Sequence, residues 1–515
     1  MPIRTIIKKN TYFDSVSLMA LSTRANNIEG IKQVNIAMGT TMNKEVLKNT
    51  GLYTEAVDDA GKGDLMIVIE GLEGFDLDDL TVKVEEAMVR KSEKKGMSDT
   101  VYSSVEAAVQ DNEGANIAVI SVPGTYAARV ARKALEQGLH VMMFSDNVSL
   151  EDEIRLKKEA HEKGLFVMGP DCGTAIINGT GLCFANGVER GNIGVVAASG
   201  TGAQEVSVRI HDFGGGISQL IGTGGRDLSA EVGGIMMLDG IKALADDEDT
   251  KIIVLVSKPP SGEVAKKIYA EVKNTEKPVV ICFIGGDKEA IKASGAYYAK
   301  TTKQAALLAV TLSGVPEETI NRHALNLPLI EEVKSKLNPQ QKYIRGLFCG
   351  GTICEETASL VREKYPNVYS NIAKDPDYRL KNINESREHT FIDLGDDQFT
   401  QGKPHPMIDP SLRLERIVKE AKDPEVGVIV LDIILGYGAH EDPVEVTLPA
   451  IREAKTIAEK EGRHLEILAF VLGTDRDPQN FDLQVKKLMD EGVTISSSSE
   501  NTGLLSRGFV EKEVM

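Results

Sequence analysis

Tryptophan is absent from this sequence, and aromatic residues make up only 5% of it. So few aromatic side chains argue against a base-stacking platform for nucleic acid and against an aromatic-lined sugar groove. The formal net charge is −18 at pH 7, and no run of lysine and arginine is long enough to form a basic patch. The composition therefore predicts that the protein binds neither nucleic acid nor an anionic membrane surface.

Cysteine is scarce and irregularly spaced. The five thiols, none in a Cys-x-x-Cys pair, are Cys172, Cys183, Cys282, Cys349 and Cys354. This pattern argues against a disulfide framework and a zinc site, so we predict no metal. No segment reaches the roughly 18 uninterrupted apolar residues of a membrane helix, and residues 1–10 contain no apolar signal core. We therefore expect a cytoplasmic protein.

The common nucleotide-binding patterns are also missing. No G-x-G-x-x-G follows a predicted strand, because Glu205 and Glu441 stand where a glycine would continue each glycine pair. The sequence contains no G-x-x-x-x-G-K-[ST] segment either. These absences disfavour a dinucleotide-dependent dehydrogenase and a P-loop ATPase.

What the chain has is a repeated unit. A short β-branched run is followed by a turn of Gly, Ser, Thr or Pro and then by an amphipathic run of helical period. The apolar runs are Ile117–Val122, Val141–Phe144, Ile193–Ala198, Ile252–Ser257, Ile344–Cys349 and Leu468–Leu472. This alternation predicts an α/β protein whose parallel sheets carry helices on both faces.

The length of 515 residues suggests about three or four domains. The predicted blocks are a small amino-terminal α/β domain at 1–110, open-sheet domains at 111–187 and 188–318, a linker at 319–342 and a last α/β domain at 343–515. In the first block we predict helices at 14–27 and 78–93, and in the linker one helix and no strand.

Three glycine-rich turns are candidate anion sites, because a helix N-terminus offers unpaired N–H groups and the positive end of its dipole. The predicted anion-binding residues are Ser199, Gly200, Thr201, Gly202, Gly224, Gly225, Gly350, Gly351 and Thr352. Arg226, beside the middle pair, is a candidate catalytic residue and bidentate anion donor. The alternative is that these glycines only form tight turns. Three such turns at strand ends favour the binding role.

Two loops place a histidine beside acidic residues after a strand. His405 belongs to the loop at 393–409, and His440 belongs to the loop at 436–443. An imidazole in such a loop can act as an acid, a base or a transition-state hydrogen-bond donor, so both are candidate catalytic residues. The alternative, a surface-loop histidine held by its neighbours, stays equally open.

The order of the motifs resembles the α subunit of succinyl-CoA synthetase. The matching segments are 168–173, 191–202, 222–227 and 277–280, and the block 343–515 resembles the carboxyl-terminal domain of that enzyme's β subunit. The whole chain, including its first hundred residues, is similar to the FdrA family of acyl-CoA synthetase-like proteins. The resemblance implies Rossmann-like and flavodoxin-like open parallel-sheet domains. It also implies two helices, after 199–201 and after 350–352, whose N-termini face one phosphate.

The same resemblance implies a CoA-binding domain at 111–187. The residues at its predicted strand ends that would line a CoA site are Pro123, Gly124, Ser145, Asp146 and Pro170. Two departures from the synthetases matter. The segment 285–308 contains no histidine where those enzymes carry a phosphohistidine, and no stretch offers room for an ATP-grasp domain. The chain alone is therefore not expected to couple ATP to thioester formation.

Three functions stay open. The first is a carbamoyl- or acyl-phosphate transferase subunit, because FdrA-like proteins are associated with oxamate carbamoyltransferase activity in allantoin catabolism. The second is an acyl-CoA synthetase subunit that binds CoA and borrows a nucleotide domain from a partner. The third is a non-catalytic subunit that senses CoA or phosphate. All three imply a small anionic ligand, and we expect partner subunits in a hetero-complex as well as a homo-oligomer.

Overall fold

The computed structural model describes residues 3–9, 11, 18, 21–22, 25–26, 28, 30–72, 74–89, 101–400 and 404–511. The chain divides into two compact units, Met1–Val101 and Tyr102–Met515. Most of the predicted helix at 14–27 lies outside the described residues, as does the end of the one predicted at 78–93.

The amino-terminal unit is built on a three-stranded antiparallel sheet in the order β1-β3-β2. Its elements are β1 (Ile3–Lys8), β2 (Ile31–Met38), α1 (Thr41–Asn49), β3 (Leu65–Gly71) and α2 (Leu77–Val89). The central strand β3 is apolar on both faces: Leu65 and Ile67 enter one core cluster, whereas Met66 and Val68 enter another. This two-sided burial explains why the strand reads as a continuous apolar run instead of alternating.

The second unit begins with a small parallel sheet in the order β4-β5-β6. Its elements are α3 (Val105–Asp111), β4 (Ile117–Ile120), α4 (Gly124–Glu136), β5 (His140–Met143), α5 (Leu150–Glu162) and β6 (Val167–Met168). Helix α5 begins at the N-cap Ser149, whose hydroxyl accepts a hydrogen bond from the Asp152 amide.

A seven-stranded sheet follows, in the order β13-β12-β11-β9-β10-β7-β8. Its elements are β7 (Thr174–Ile177), β8 (Thr180–Cys183), β9 (Arg190–Ala197), α6 (Gly200–Asp212), β10 (Ile217–Gly222), α7 (Ile235–Asp246), β11 (Ile252–Ser257), α8 (Gly262–Asn274), β12 (Val279–Phe283), α9 (Lys288–Ala293), β13 (Tyr297–Tyr298) and α10 (Thr302–Leu312). Strands β9 to β13 are parallel, and the hairpin β7-β8 adds to β10 in the antiparallel sense. This hairpin lies within the predicted block 111–187, yet it completes the sheet of the next block.

The last sheet has six parallel strands in the order β15-β16-β14-β17-β18-β19. It follows α11 (Leu327–Lys336), the single α-helix of the predicted linker. Its elements are β14 (Tyr343–Phe348), α12 (Gly351–Arg362), β15 (Val368–Ser370), β16 (His389–Asp393), α13 (Asp397–Thr400), α14 (Ser411–Glu420), β17 (Val426–Ile434), α15 (Pro443–Lys460), β18 (Glu466–Leu472), α16 (Phe481–Asp490), β19 (Thr494–Ser496) and α17 (Ser499–Phe509).

Helices cover both faces of the two large sheets. Helices α6 and α10 pack on one face of the seven-stranded sheet, and α7 and α8 pack on the other. The six-stranded sheet lies between α11, α12 and α17 on one side and α14, α15 and α16 on the other. The predicted α/β class with several parallel sheets and a small amino-terminal domain is confirmed. Among the described residues, no helix is both long and apolar enough to span a bilayer.

Candidate functional site

The N-termini of α6 and α12 face each other. Helix α6 follows β9 and helix α12 follows β14, and each of these strands lies in the inner part of its sheet. The hydroxyl groups of Ser199 and Thr352 form a hydrogen bond across the gap. The Ser199 hydroxyl also accepts a hydrogen bond from the Gly202 amide, 3.0 Å away, and so caps α6. The structure thus brings together two of the three glycine turns that the sequence identifies as anion sites.

Glycine permits this close approach. A Cβ atom at Gly350 would lie only 2.7 Å from Cγ2 of Thr201, and one at Gly202 would lie 3.1 Å from Cγ2 of Thr352. At Gly200 the same test finds no atom closer than 3.7 Å. Gly350 and Gly202 are therefore required by packing, whereas a side chain at Gly200 would be in ordinary van der Waals contact with Gly173 and Thr174.

A buried hydroxyl without a hydrogen-bond partner lies beside Gly200. Thr174, at the start of β7, is 1% exposed. Its Oγ1 forms no hydrogen bond with any described residue and lies 3.9 Å from the Cβ position of Gly200. An unpaired buried hydroxyl costs about 1–3 kcal/mol, which a ligand oxygen bound here would offset. The unpaired hydroxyl of Thr174 thus favours a ligand at the N-terminus of α6 independently of the helix dipole.

A half-buried lysine lies on the α12 side. Lys258 directly follows β11, and its Nζ lies 3.8 Å from the Cβ position of Gly351. Lys258 interacts electrostatically with Asp393 but belongs to none of the ion pairs formed by the described residues. An ammonium group that forms no close ion pair, placed beside a helix N-terminus, favours an anionic ligand.

Two buried carboxyl groups surround the start of α12. Asp432 of β17 accepts hydrogen bonds from the amides of Cys349 and Gly350 at 2.8 and 3.0 Å and pairs with Arg413 at 3.2 Å. Asp393, at the end of β16, accepts a 2.9 Å hydrogen bond from the Gly395 amide. Burial raises the pKa of Asp393 to about 7, although the charge of Lys258 opposes this shift. The α12 N-terminus is consequently less positive than that of α6.

His405 lies beside Gly395 in the same region. Its Nδ1 accepts a hydrogen bond from the Met407 amide at 3.3 Å, and its ring contacts Phe184 with a centroid distance of 5.6 Å. Burial lowers the pKa of His405 to about 4, so the ring is neutral at pH 7. Because Nδ1 is the acceptor, the hydrogen-bond network assigns the single proton to Nε2. Nε2 lies 2.6 Å from the Cβ position of Gly395.

His440 occupies the neighbouring loop. Its backbone amide donates a hydrogen bond to the Met407 carbonyl at 2.9 Å, and its Nδ1 accepts one from the Asp442 amide at 3.0 Å. The loop of His440 therefore supports the segment that carries His405. A catalytic role for either histidine stays a prediction.

The middle glycine turn differs from the other two. It leads into no helix, because α7 begins only at Ile235. Gly224 has a φ of +84° and packs against the Pro170 carbonyl, and Gly225 is in contact range of Asp171. Arg226 is engaged with α5: it pairs with Glu153 at 2.9 Å and donates to the Val148 carbonyl at 2.8 Å. The structure holds this guanidinium in place as a link to α5, so its predicted role as anion donor gains no support here.

The predicted CoA-lining residues meet at the carboxyl edge of the small sheet. Pro123 is the N-cap residue of α4, and Gly124 begins that helix. A Cβ atom at Gly124 would overlap the carbonyl oxygen of Asp146 and lie 2.6 Å from that of Asn147. Elsewhere on this edge, the Ser145 carbonyl accepts a 3.0 Å hydrogen bond from the Asp171 amide. Carbonyl oxygens thus crowd the N-terminus of α4, where a phosphate would need free N–H groups. The CoA-binding role of Pro123, Gly124, Ser145, Asp146 and Pro170 stays a prediction.

Four residues of the site are not among the site residues that the sequence predicts: Thr174, Lys258, Asp393 and Asp432. Lys258 and Asp393 lie at the carboxyl ends of β11 and β16, which is the one signal that could have drawn attention to them, whereas Thr174 begins β7 and Asp432 lies inside β17. No group of three or more histidine, cysteine, aspartate or glutamate side chains among the described residues is arranged to hold a metal ion.

Three family models match the chain. The CoA binding domain matches residues 188–285, and the CoA-ligase domain matches residues 347–507. The first match contains α6 and the second contains α12. The CoA-binding match begins after the segment 111–187, for which the sequence predicts a CoA-binding domain. The amino-terminal domain of AllF, described as heavy metal-associated, matches residues 1–103. These residues include no cysteine and no histidine, so they do not fit a soft-metal site.

Solved structures with a similar fold share little sequence with this chain. The apo acetyl-coenzyme A synthetase 1 of Ca. Korarchaeum cryptofilum is 16% identical, with a TM-score of 0.37, and the match covers 81% of this chain and 86% of that one. The ATP citrate lyase of Methanothrix soehngenii in complex with citrate and coenzyme A is 13% identical, with a TM-score of 0.37, covering 79% and 83%.

Curated relatives give closer matches. The α subunit 1 of the ADP-forming succinate–CoA ligase of Archaeoglobus fulgidus is 31% identical over 190 residues. That match covers 36% of this chain and 63% of the subunit, less than two thirds of the relative. The uncharacterized protein YahF of Escherichia coli (strain K12) is 57% identical over 512 residues, which is 99% of both chains. None of these relatives bears the FdrA name, so that finer assignment stays a prediction. The chain belongs to the family of YahF, and it combines an AllF-type amino-terminal domain with CoA-binding and CoA-ligase domains of the succinyl-CoA ligase superfamily.

Proposed function

We propose that this protein is a subunit of an enzyme that transfers a carbamoyl or acyl group from its phosphate, and that the phosphate binds between the N-termini of α6 and α12. The observation that carries the proposal is the facing pair of glycine turns, joined by Ser199 and Thr352, with the unpaired hydroxyl of Thr174 and the ammonium group of Lys258 beside them. Both helices direct N–H groups toward the same gap.

The proposed reaction needs no covalent phosphoenzyme, which agrees with the absence of histidine from residues 285–308. The lone pair of an acceptor nitrogen or sulfur attacks the carbonyl carbon and forms a C–N or C–S bond. The C–O bond to the phosphate breaks, and its electron pair leaves on the phosphate oxygen. The acceptor's proton moves to that phosphate, so the products are the transferred group on its acceptor and inorganic phosphate.

Each part of the site has a role in this step. The helix N-termini and Lys258 stabilise the charge that grows on the leaving phosphate. The Nε2–H of neutral His405 is suited to donate to the carbonyl oxygen as the tetrahedral intermediate forms. Electrostatic stabilisation of this type contributes about 2.7–4 kcal/mol per donor in well-studied enzymes.

A second candidate function is an acyl-CoA ligase subunit that obtains its nucleotide domain from a partner. The match of the CoA binding domain to residues 188–285 favours it. The carbonyl oxygens packed against the start of α4 weigh against a phosphate of CoA at that particular helix. CoA binding to the purified chain would raise this candidate above the first.

The test is calorimetric titration of the chain with inorganic phosphate, carbamoyl phosphate, acetyl phosphate, CoA and ATP, each alone. We expect the three phosphate compounds to bind and Lys258→Met to weaken all three by about tenfold, since an ion-paired hydrogen bond contributes about 1.5–3 kcal/mol. Lys266→Met, which removes an exposed lysine from α8, is the matched control and should bind like the wild type. Binding of CoA or ATP without binding of phosphate would contradict the proposal.

A further inference from the structure

A second pair of helix N-termini meets in this unit, and the protein fills it with its own carboxyl groups. Helix α10 begins at Thr302 and α17 begins at Ser499, and their hydroxyl groups lie 3.2 Å apart. Oε2 of Glu356 accepts a 2.8 Å hydrogen bond from the Thr302 amide, and Oε1 of Glu205 accepts a 3.2 Å hydrogen bond from the Ser499 amide. Because α12 carries Glu356 and α6 carries Glu205, each large sheet domain caps a helix of the other.

The hydroxyl group of Ser499 lies between the two carboxyl groups, which are 2% exposed in Glu356 and 0% exposed in Glu205. Its Oγ is 2.6 Å from Oε1 of Glu356 and 3.2 Å from Oε1 of Glu205. A hydroxyl group has one proton to donate, so Ser499 cannot donate to two carboxylates at once. The Thr302 hydroxyl, 3.1 Å from the same Glu356 oxygen, adds a donor but supplies no proton between Ser499 and the second carboxylate. The contacts are all satisfied when one carboxyl group is protonated and donates to Ser499, which donates to the other.

The surrounding charges assign the proton to Glu356. Oε2 of Glu205 lies 3.5 Å from Nε of Arg209 on the same helix, which favours the ionised form of Glu205. No cation in the described part of the chain forms an ion pair with Glu356, and burial without such a partner favours the neutral form. The other charged or titratable groups that act on the pair or on its neighbours are Asp212 of α6, Lys303 of α10, Glu500 of α17 and Cys282 of β12.

We propose that Glu356, Ser499 and Glu205 form a pH-sensitive switch between the two large sheet domains, closed when Glu356 is protonated and released when both glutamates are ionised. In the released form two like charges face each other in a buried space, which drives α6 and α12 apart. The glutamates lie five residues, about 7.5 Å, along these helices from the first glycine of each. The same movement therefore widens the gap between the two N-termini. The inference rests on the proposed function, which places the phosphate in that gap.

The test is calorimetric titration of inorganic phosphate into the wild type and Glu356→Gln at pH 5 and pH 8. The ionisation of phosphate itself affects both proteins equally and cancels in the ratio of their affinities. Burial raises the pKa of Glu356 to about 7, so the wild type is mainly closed at pH 5 and mainly released at pH 8. Glutamine keeps a donor to Ser499 at both pH values.

We expect the two proteins to bind phosphate alike at pH 5. At pH 8 the wild type should bind about fivefold to tenfold more weakly than Glu356→Gln, because only its closed fraction is competent to bind. Glu318→Gln, on an exposed segment, is the control and should follow the wild type at both pH values.

The outcomes separate this switch from the proposed function. If phosphate binds the wild type at neither pH, the proposed function fails and the switch fails with it. If phosphate binds and the affinity ratio is the same at pH 5 and pH 8, the switch is overturned while the phosphate site stands. That result, together with loss of the pH dependence in Asp393→Asn, would assign the titration to Asp393, whose pKa burial also raises to about 7.

A second variant keeps the test decisive if Glu356→Gln fails to fold. Glu205→Gln removes the other charge of the pair, so ionised Glu356 no longer faces a like charge. The ratio of its phosphate affinity to that of the wild type should rise between pH 5 and pH 8. An unchanged ratio would overturn the switch.

Discussion

The helices α6 and α12 begin with the same residues but differ in the groups that surround those residues. Both begin Gly-Thr, and each carries a buried glutamate five residues after its first glycine, Glu205 in α6 and Glu356 in α12. The side chain that caps α6 is the neutral Ser199, whereas the amides before α12 are satisfied by the carboxylate of Asp432. The positive end of α6 is therefore left for a ligand, and that of α12 is largely balanced by the protein.

This difference shows that a glycine turn before a helix does not by itself define an anion site. The groups that the rest of the fold brings to the turn decide how much positive charge it offers. At α6 these groups are neutral donors, including Thr174. At α12 they are two acids and Lys258, so this turn offers less positive charge to a phosphate than the turn of α6.

The largest expected effect comes from removing the carboxylate before α12. Asp432→Ala leaves two buried amides without their acceptor and the guanidinium of Arg413 without its carboxylate, although its hydrogen bonds to the Cys349 Sγ and the residue-432 carbonyl remain. Breaking a buried ion pair in this way costs about 3–5 kcal/mol of unfolding free energy. Chemical denaturation measures it, with the exposed Asp397→Ala as control. A loss below about 1 kcal/mol would mean that Asp432 is not needed to balance α12.

Alanine substitutions at Gly350 and Gly200 distinguish a glycine that packing requires from one that packing does not require. Gly350→Ala forces a methyl group against Thr201 and should cost about 1–3 kcal/mol in stability. Gly200→Ala has room for its methyl group, so stability should change by less than about 1 kcal/mol. Thermal and chemical denaturation of both variants tests the comparison. Equal destabilisation would show that the two turns are packed alike.

The glutamates five residues into each helix provide a pH test. Burial raises the pKa of both Glu205 and Glu356 to about 7, and both carboxyl groups contact the Ser499 hydroxyl, at 3.2 and 2.6 Å. The unfolded chain releases these protons near 4.5, so between pH 4.5 and 7 the folded state binds more protons and loses stability as the pH rises.

Glu356→Gln copies the protonated form and should avoid this loss. We expect it to match the wild type at pH 5 and to exceed it by about 1–3 kcal/mol at pH 8. Denaturation at the two pH values checks this. Glu355→Gln, in the same helix turn, is not a suitable control because Glu355 pairs with Arg362. Glu318→Gln, on an exposed segment, is the better control. A pH-independent difference would contradict the raised pKa.

The smallest expected effect concerns Arg226. Because its guanidinium is already bonded to Glu153 and the Val148 carbonyl, Arg226→Ala should leave phosphate affinity within about twofold of the wild type. Its half-exposed ion pair contributes about 0–1 kcal/mol to stability. A large loss of phosphate affinity on titration would restore Arg226 as an anion donor.

The sequence predicts the fold well where a strand is followed directly along the chain by its helix. The β-branched runs before residues 199 and 350 correspond to β9 and β14, and the glycine turns correspond to the starts of α6 and α12. The hairpin β7-β8 escaped prediction because its partner β10 lies some forty residues away and pairs with it in the antiparallel sense. Local periodicity carries no information about such pairing.

The site could be predicted only in part for the same reason. The facing turns follow from glycine, serine and threonine at strand ends. The ion pair between Arg226 and Glu153 depends on how two distant segments pack. The absence of a hydrogen-bond partner for the Thr174 hydroxyl depends on the packing of all the segments around it. Similarly, nothing near Asp432 in the sequence shows that its carboxylate reaches the amides of Cys349 and Gly350.

The most direct test of the central claim is calorimetric titration of inorganic phosphate into the wild type and Gly200→Ala. We expect one phosphate site in the wild type and at least about tenfold weaker binding in Gly200→Ala, because the added methyl group would lie beside the Thr174 hydroxyl, where the phosphate is proposed to bind, while the fold is kept. Equal binding by both proteins would contradict a phosphate site at the N-terminus of α6.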